Sequence, residues 1–114
     1  MIDFSCKKFN IAEIIKCSLG LSRSEFLLLE FLMKNKNDFT TEDLSKKLKL
    51  DKSTIQRAVK KLHGKQLVNR GQINREVGGY IFYYRIKDKN KIKKIILGVI
   101  DGWIGVVRNG INNW

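Results

Sequence analysis

The feature that most constrains this chain is a change of hydrophobic period close to Gly64. Between Thr40 and Leu62, apolar residues recur every three to four positions. Beyond Leu67 they crowd into two β-branched and aromatic runs. A helical repeat and a strand repeat deliver side chains to different surfaces, so the chain must pass from helices into a hairpin within a few residues. Few folds tolerate that junction.

Two short helices precede the change. In TTEDLSKKLKL, Thr40 is an N-cap with Asp43 three residues on, and Leu44 and Leu48 share a stripe. After a two- or three-residue turn, DKSTIQRAVKKLHGKQL begins with Asp51 as a cap. Its Ile55, Ala58, Val59 and Leu62 follow the i, i+3, i+4, i+7 rule and leave one outer face clear; Gly64 is expected to end the helix. The runs Leu67-Val68-Asn69-Arg70 and Tyr80 to Ile86 then read as strands joined by GQINREVGG, a glycine-bounded basic loop. Tyr80, Phe82 and Tyr84 alternate on one strand face and are expected in the core rather than as a base-stacking platform.

The flanks are helical in pattern. FSCKKFNIAEIIKCSLG suits a helix over about 4–20 closed by Gly20. LSRSEFLLLEFLMKNK predicts a helix over 23–35, with Ser22 and Glu25 as a capping box. Residues 88–113 repeat apolar positions at three- and four-residue steps. The expected fold is mainly α with a small β-hairpin wing (α+β). It is a single domain over 1–114, with a winged-helix core at about 22–87 between flanking helices at about 4–20 and 88–113.

TTEDLSKKLKLDKSTIQRAVKKLHGKQLVNR resembles the MarR-like and TrmB-like winged helix-turn-helix regulators of bacteria and archaea. The resemblance is carried by Leu44, Leu48, Asp51, Ser53, Thr54, Ile55, Arg57, Ala58, Val59, Leu62, Leu67, Val68 and Arg70. His63-Gly64-Lys65-Gln66 departs from the acidic-Lys-Gly turn usual there, and no effector-pocket signature is visible, so a small-molecule effector is left unspecified. The resemblance implies transcription regulation by a homodimer on double-stranded DNA, with the second helix of the pair, 52–63, in the major groove.

Charge supports the same partner independently. The chain holds 23 Lys and Arg against 11 Asp and Glu, a net charge of +12. A Lys-rich codon bias would give a basic chain but not a basic segment. From Leu44 to Arg75, ten cations (Lys46, Lys47, Lys49, Lys52, Arg57, Lys60, Lys61, Lys65, Arg70, Arg75) face one acid, Asp51. Such a patch favours a polyanion through counterion release.

The candidate DNA-binding residues are Lys52, Ser53, Thr54, Gln56, Arg57, Lys60 and Lys61 on the helix, Arg70 on the first wing strand, and Asn74 and Arg75 in the wing loop, 71–79. Gln pairs bidentately with adenine, Arg with guanine, and Ser or Thr serve base or phosphate. Ser53, Gln56, Arg57 and Lys60 are expected nearest the bases, and Lys61 nearer phosphate. Thr54 has the alternative of bonding the backbone at the helix start. Gly71, Gly78 and Gly79 either let the wing curl along a DNA backbone or minor groove, or make the turn and no more.

The terminal helix is apolar around too much of its circumference for an exposed tail. Its own copy is the simplest partner, through Ile92, Ile96, Val99, Ile100, Trp103 and Val107; packing against the first helix is the alternative. Cys6 and Cys17 on one continuous helix would lie about 16 Å apart, too far for a disulfide within the chain. Their roles are ordinary packing or a cross-subunit redox switch. With one histidine and no Cys/His cluster, neither a metal site nor a cofactor is expected, and no nucleophile sits with a base, so the chain is not expected to be an enzyme. The apolar run from Ile95 to Val107 is too short to span a bilayer, which needs about 20 residues. The chain thus reads as soluble and cytoplasmic. The alternative function is a protein-interaction subunit of a transcription or replication assembly.

Overall fold

A computed structural model describes residues 2–114. The chain divides into two compact units, one formed by residues up to Leu21 with Asn90–Trp114, the other by Ser22–Lys89. The second coincides closely with the winged-helix core expected from sequence.

In that unit, α2 (Arg23–Lys34) starts at a capping box in which Ser22 Oγ accepts from the Glu25 N–H at 3.2 Å and Glu25 Oε1 accepts from the Ser22 N–H at 2.7 Å. A two-residue strand, β3 (Phe39–Thr40), follows, then α3 (Thr41–Leu48), α4 (Lys52–Gly64), β4 (Val68–Asn74) and β5 (Tyr80–Ile86). Thr40 and Asp43 form a second capping box. The strands make an antiparallel sheet in the order β3-β5-β4, with Val68 opposite Ile86 and Asn74 opposite Tyr80. The third strand was not legible in sequence, because two residues carry no period. Phe39 is held by an edge-on contact with Phe31 at 5.2 Å and pairs with Tyr84.

The core is where the apolar stripes meet. Leu28, Leu29 and Leu32 of α2, Leu44 of α3, Ile55, Ala58, Val59 and Leu62 of α4, and Leu67, Val68, Tyr84 and Ile86 are all buried. The turn between α3 and α4 is closed by Lys49, which takes a left-handed conformation at φ 55°, and by Ser45 Oγ donating to the Leu50 carbonyl.

The end of α4 corrects the sequence expectation. Gly64 is the last helical residue, not the stop signal. Gln66 occupies the left-handed position at φ 63°, with its N–H donating to His63 O at 3.0 Å and the Leu67 N–H to Leu62 O at 2.9 Å. That is a Schellman end, normally completed by glycine because a Cβ costs about 1–2 kcal/mol there. Glycine and glutamine are thus each on the less favourable site. Gln66→Gly is expected to stabilise the chain by about 0.5–1 kcal/mol, and Gly64→Ala, whose added methyl meets open space, by a similar amount. Thermal melts of the single and double variants check this; a double variant melting below the parent would contradict it.

The first unit departs further from expectation. Residues 4–20 are not one helix: β1 (Ile2–Phe4) and β2 (Lys7–Phe9) form a hairpin, and α1 spans only Ile11–Ser18. Asn10 is the reason for the late start, its Oδ1 accepting from the Glu13 N–H at 2.8 Å, while Ile2, Phe4 and Phe9 before it are spaced for strands. Gly20, at φ 63°, ends α1 in a Schellman turn as expected, with the Leu21 N–H donating to Lys16 O. Cys6 lies in the hairpin turn and Cys17 in the last turn of α1, both free and exposed, so the spacing argued for one continuous helix does not apply. The last helix, α5 (Lys89–Asn112), forms over the expected span. No helix among the described residues is long and apolar enough to cross a membrane.

Candidate nucleic-acid interface

At about 100° per residue, the buried residues of α4 point one way, and Ser53, Gln56, Arg57, Lys60 and Gly64 point the other. All five are exposed. Lys52 is exposed on one flank and Thr54 half-buried on the other. Among the described residues, Lys52, Gln56, Arg57 and Lys60 make no hydrogen bond or ion pair. This face is held rigidly by the core behind it, with cationic and amide groups free to meet a ligand.

Three of the predicted contacts are differently engaged. Ser53 Oγ donates to Asp51 Oδ2, Thr54 Oγ1 donates to Asp51 Oδ1 at 2.6 Å, and the Thr54 N–H reaches Asp51 Oδ2 at 3.4 Å. Both hydroxyl protons are directed to the cap, so Ser53 and Thr54 offer a ligand lone pairs rather than donors. Lys61 turns sideways, its Nζ 3.1 Å from Glu25 Oε1 at the start of α2, and so joins two helices. Burial alone would raise the Glu25 carboxyl, but the Ser22 N–H, the Lys61 ammonium and the Ser22 hydroxyl outweigh it and hold it below the usual value.

The Asp51 carboxyl is pulled down to about 2, first by the Ser53 hydroxyl and then by that of Thr54. An anion at a helix N-terminus complements the positive end of the helix dipole. Because the folded value lies below the ordinary 3.8, the stabilisation is present above that pH and fades as the pH falls toward 2. Asp51→Asn is therefore expected to flatten the acid-side stability profile between pH 3.8 and about 2. Urea melts across that range test this, and an unchanged slope would contradict it.

The wing is longer in strand than expected. β4 runs through Asn74, so the loop is 75–79 rather than 71–79, and Gly71 lies mid-strand. Gly71 makes room for a ring: a Cβ there would stand 2.1 Å from the Tyr83 side chain. Gly78 and Gly79, at φ 92° and 78°, make the turn, closed by the Arg75 N–H donating to Gly79 O at 3.0 Å. Arg75 is exposed at its start; Asn74 Oδ1 accepts from Gln72 Nε2 at 3.2 Å. Of the three aromatics expected in the core, only Tyr84 is buried; Tyr80 is 56% exposed and Phe82 half-buried, because the hairpin extends past the helices. Phe82 carries the Arg70 guanidinium, 4.3 Å from its ring centroid. Sequence reasoning missed that role, although the strand pairing already set the two residues on one face.

The α3–turn–α4 unit followed directly by a paired wing is the winged helix-turn-helix arrangement. The sequence profile of the MarR family matches residues 19–75, the segment that builds it. The chain belongs to the MarR family. A possible transcriptional regulator from Methanosarcina mazei Go1 is 39% identical and superposes with a TM-score of 0.95, covering 100% of this chain and 96% of that one. An uncharacterized protein of Methanocaldococcus jannaschii is 28% identical over 114 residues, 100% of this chain and 83% of its own length. At the level of fold alone, the chain is similar to an S. aureus MepR mutant bound to an oligodeoxyribonucleotide (16% identity, TM-score 0.56, 86% of this chain and 71% of that one). As a MarR-family winged helix, the chain is a transcription regulator by kinship, not an enzyme.

Proposed function

We propose that this MarR-family chain regulates transcription as a homodimer that binds a specific double-stranded DNA sequence. The observation that carries this is the outward face of α4, where Gln56, Arg57 and Lys60 stand exposed and unpartnered opposite a fully buried face. In this reading α4 enters the major groove, with Gln56 and Arg57 toward base edges and Lys60 and Lys52 toward phosphates. The loop 75–79 lies along the backbone or minor groove with Asn74 and Arg75. The DNA-bound MepR relative supports the chemistry, and the M. mazei relative the role. The site of action is the cytoplasm.

The homodimer rests on α5. Ile96, Ile100, Trp103, Ile104, Val107 and Ile111 fall within about a third of the helix circumference. Of these, Trp103, Ile104, Val107 and Ile111 are exposed, as is Val99 beside the stripe, and Ile96 and Ile100 are half-buried. Phe4 of β1 joins Trp103, Ile104, Val107 and Ile111 around an open apolar groove. Ile92, named from sequence for the same interface, is only 2% exposed and is already buried within one chain, so it is not available to a partner. A two-fold pairing covers the stripe and sets two copies of α4 for half-sites about one DNA turn apart.

Selection of bound sequences from a random duplex pool, followed by footprinting, tests the reading. Recovery of a palindromic site with half-sites about 10 base pairs apart supports it. Recovery of no preferred duplex, with the protein instead retained by another polypeptide, favours the assembly-subunit alternative.

A further inference from the structure

We infer that Phe82 is a positioning residue for DNA binding, an aromatic seat that aims Arg70 at a backbone phosphate. The inference rests on the DNA-binding reading above and assigns the wing its own phosphate contact. Arg70 is paired in register with Tyr84, and Phe82 with Gln72. Phe82 is therefore the diagonal neighbour of Arg70, one residue pair nearer the loop, on the same sheet face. Such neighbours are about 7–8 Å apart at the backbone and within reach of long side chains.

The Arg70 guanidinium carbon lies 4.3 Å from the Phe82 ring centroid, well inside cation–π range. Tyr80, next along that face, meets Phe82 edge-on at 5.1 Å and an interplanar angle of 61°, which limits how far the seat can tip. The contact draws the arginine head along the hairpin toward the loop 75–79. An unsupported arginine must give up considerable rotamer freedom when it docks, whereas a stacked one is already oriented with its planar fork presented edge-outward. No carboxylate among the described residues pairs with Arg70, which is exposed. Every other hydrogen-bonding side chain on the outer part of this face, Gln72 and Asn74, is an uncharged amide. A cation held in place, with no anion of its own, is suited to an anion that arrives with the ligand.

The test uses the full chain and the duplex recovered from the random pool, titrated over a range of salt. Phe82→Leu is expected to weaken binding by about two- to fivefold, the size of an exposed cation–π contact, and to lower the salt slope toward that of Arg70→Ala. Phe82→Trp keeps wild-type affinity. Phe82→Leu added to Arg70→Ala costs nothing more, while its loss adds in full to that of Arg75→Ala. Arg70→Lys, which keeps the charge but not the planar fork, also weakens binding, and this arm stands even if Phe82→Leu folds poorly. Wild-type affinity in Phe82→Leu or Arg70→Lys, additivity of Phe82→Leu with Arg70→Ala, or no rescue by tryptophan would overturn the positioning role alone. A wild-type chain that binds no duplex overturns the DNA reading and this inference together.

Discussion

Replacing Arg57 and Lys60 together by alanine is expected to weaken specific duplex binding at least about thirtyfold while leaving the fold intact. Arg57 is placed for a base edge, and such a contact is worth about 1–3 kcal/mol; a two-fold dimer loses it twice, and 2 kcal/mol is already about thirtyfold. Lys60, toward phosphate, adds a sequence-independent loss and should reduce the salt slope by about two, close to one unit per subunit. Stability should change by no more than about 0.5 kcal/mol, because both side chains are exposed and neither is paired. Fluorescence anisotropy at several salt concentrations measures affinity and slope, and circular dichroism melts measure the fold. Specific binding retained with an unchanged slope would exclude the face of α4 as the reading surface. The same pair leaves Asp51, Ser53 and Thr54 untouched, so a loss cannot be ascribed to a damaged cap.

The second large effect is expected from Trp103→Glu. Trp103 is 62% exposed in the single chain and lies in the middle of the apolar stripe of α5. A glutamate there costs the isolated chain little. In a two-fold interface it places two carboxylates in an apolar contact with nothing to pair them, a cost of several kcal/mol. The variant should run as a monomer at micromolar concentration where the wild type runs as a dimer. It should also lose about 100-fold or more in duplex affinity, because the second half-site is no longer held at the effective concentration that a joined pair provides. Analytical ultracentrifugation and anisotropy give the two readouts. A variant that stays dimeric would move the interface off this face, and a wild type that is monomeric on DNA would end the homodimer reading.

Much of the winged-helix unit was legible in the residues because its signals are local. Ser22 with Glu25, Thr40 with Asp43, and Asp51 mark helix starts whose capping bonds span three residues, and the structure shows each bond. The buried side of α4 followed from a repeat that any helix imposes. What escaped was of two kinds. Residues 2–9 were read as helix because a short apolar–polar alternation beside a helical pattern is easily absorbed into it, and Asn10 was not weighted as a cap. The engagements of Lys61 with Glu25 and Arg70 with Phe82 join positions 36 and 12 residues apart, and no local rule reports them.

By itself, the order of residues determined which segments are helix or strand in the Ser22–Lys89 unit, where most of those helices begin, and that one stretch is overwhelmingly cationic. Propensity, capping and periodicity act over a few neighbours, so they can be read without coordinates. Tertiary structure alone decided which of those cations face outward: Gln56, Arg57 and Lys60 are left free, whereas Lys61 and the hydroxyls of Ser53 and Thr54 are drawn to carboxylates. The reason is that an ion pair or hydrogen bond depends on distance in space, and distance in space between α2 and α4, or between β4 and β5, exists only once the core has brought them together.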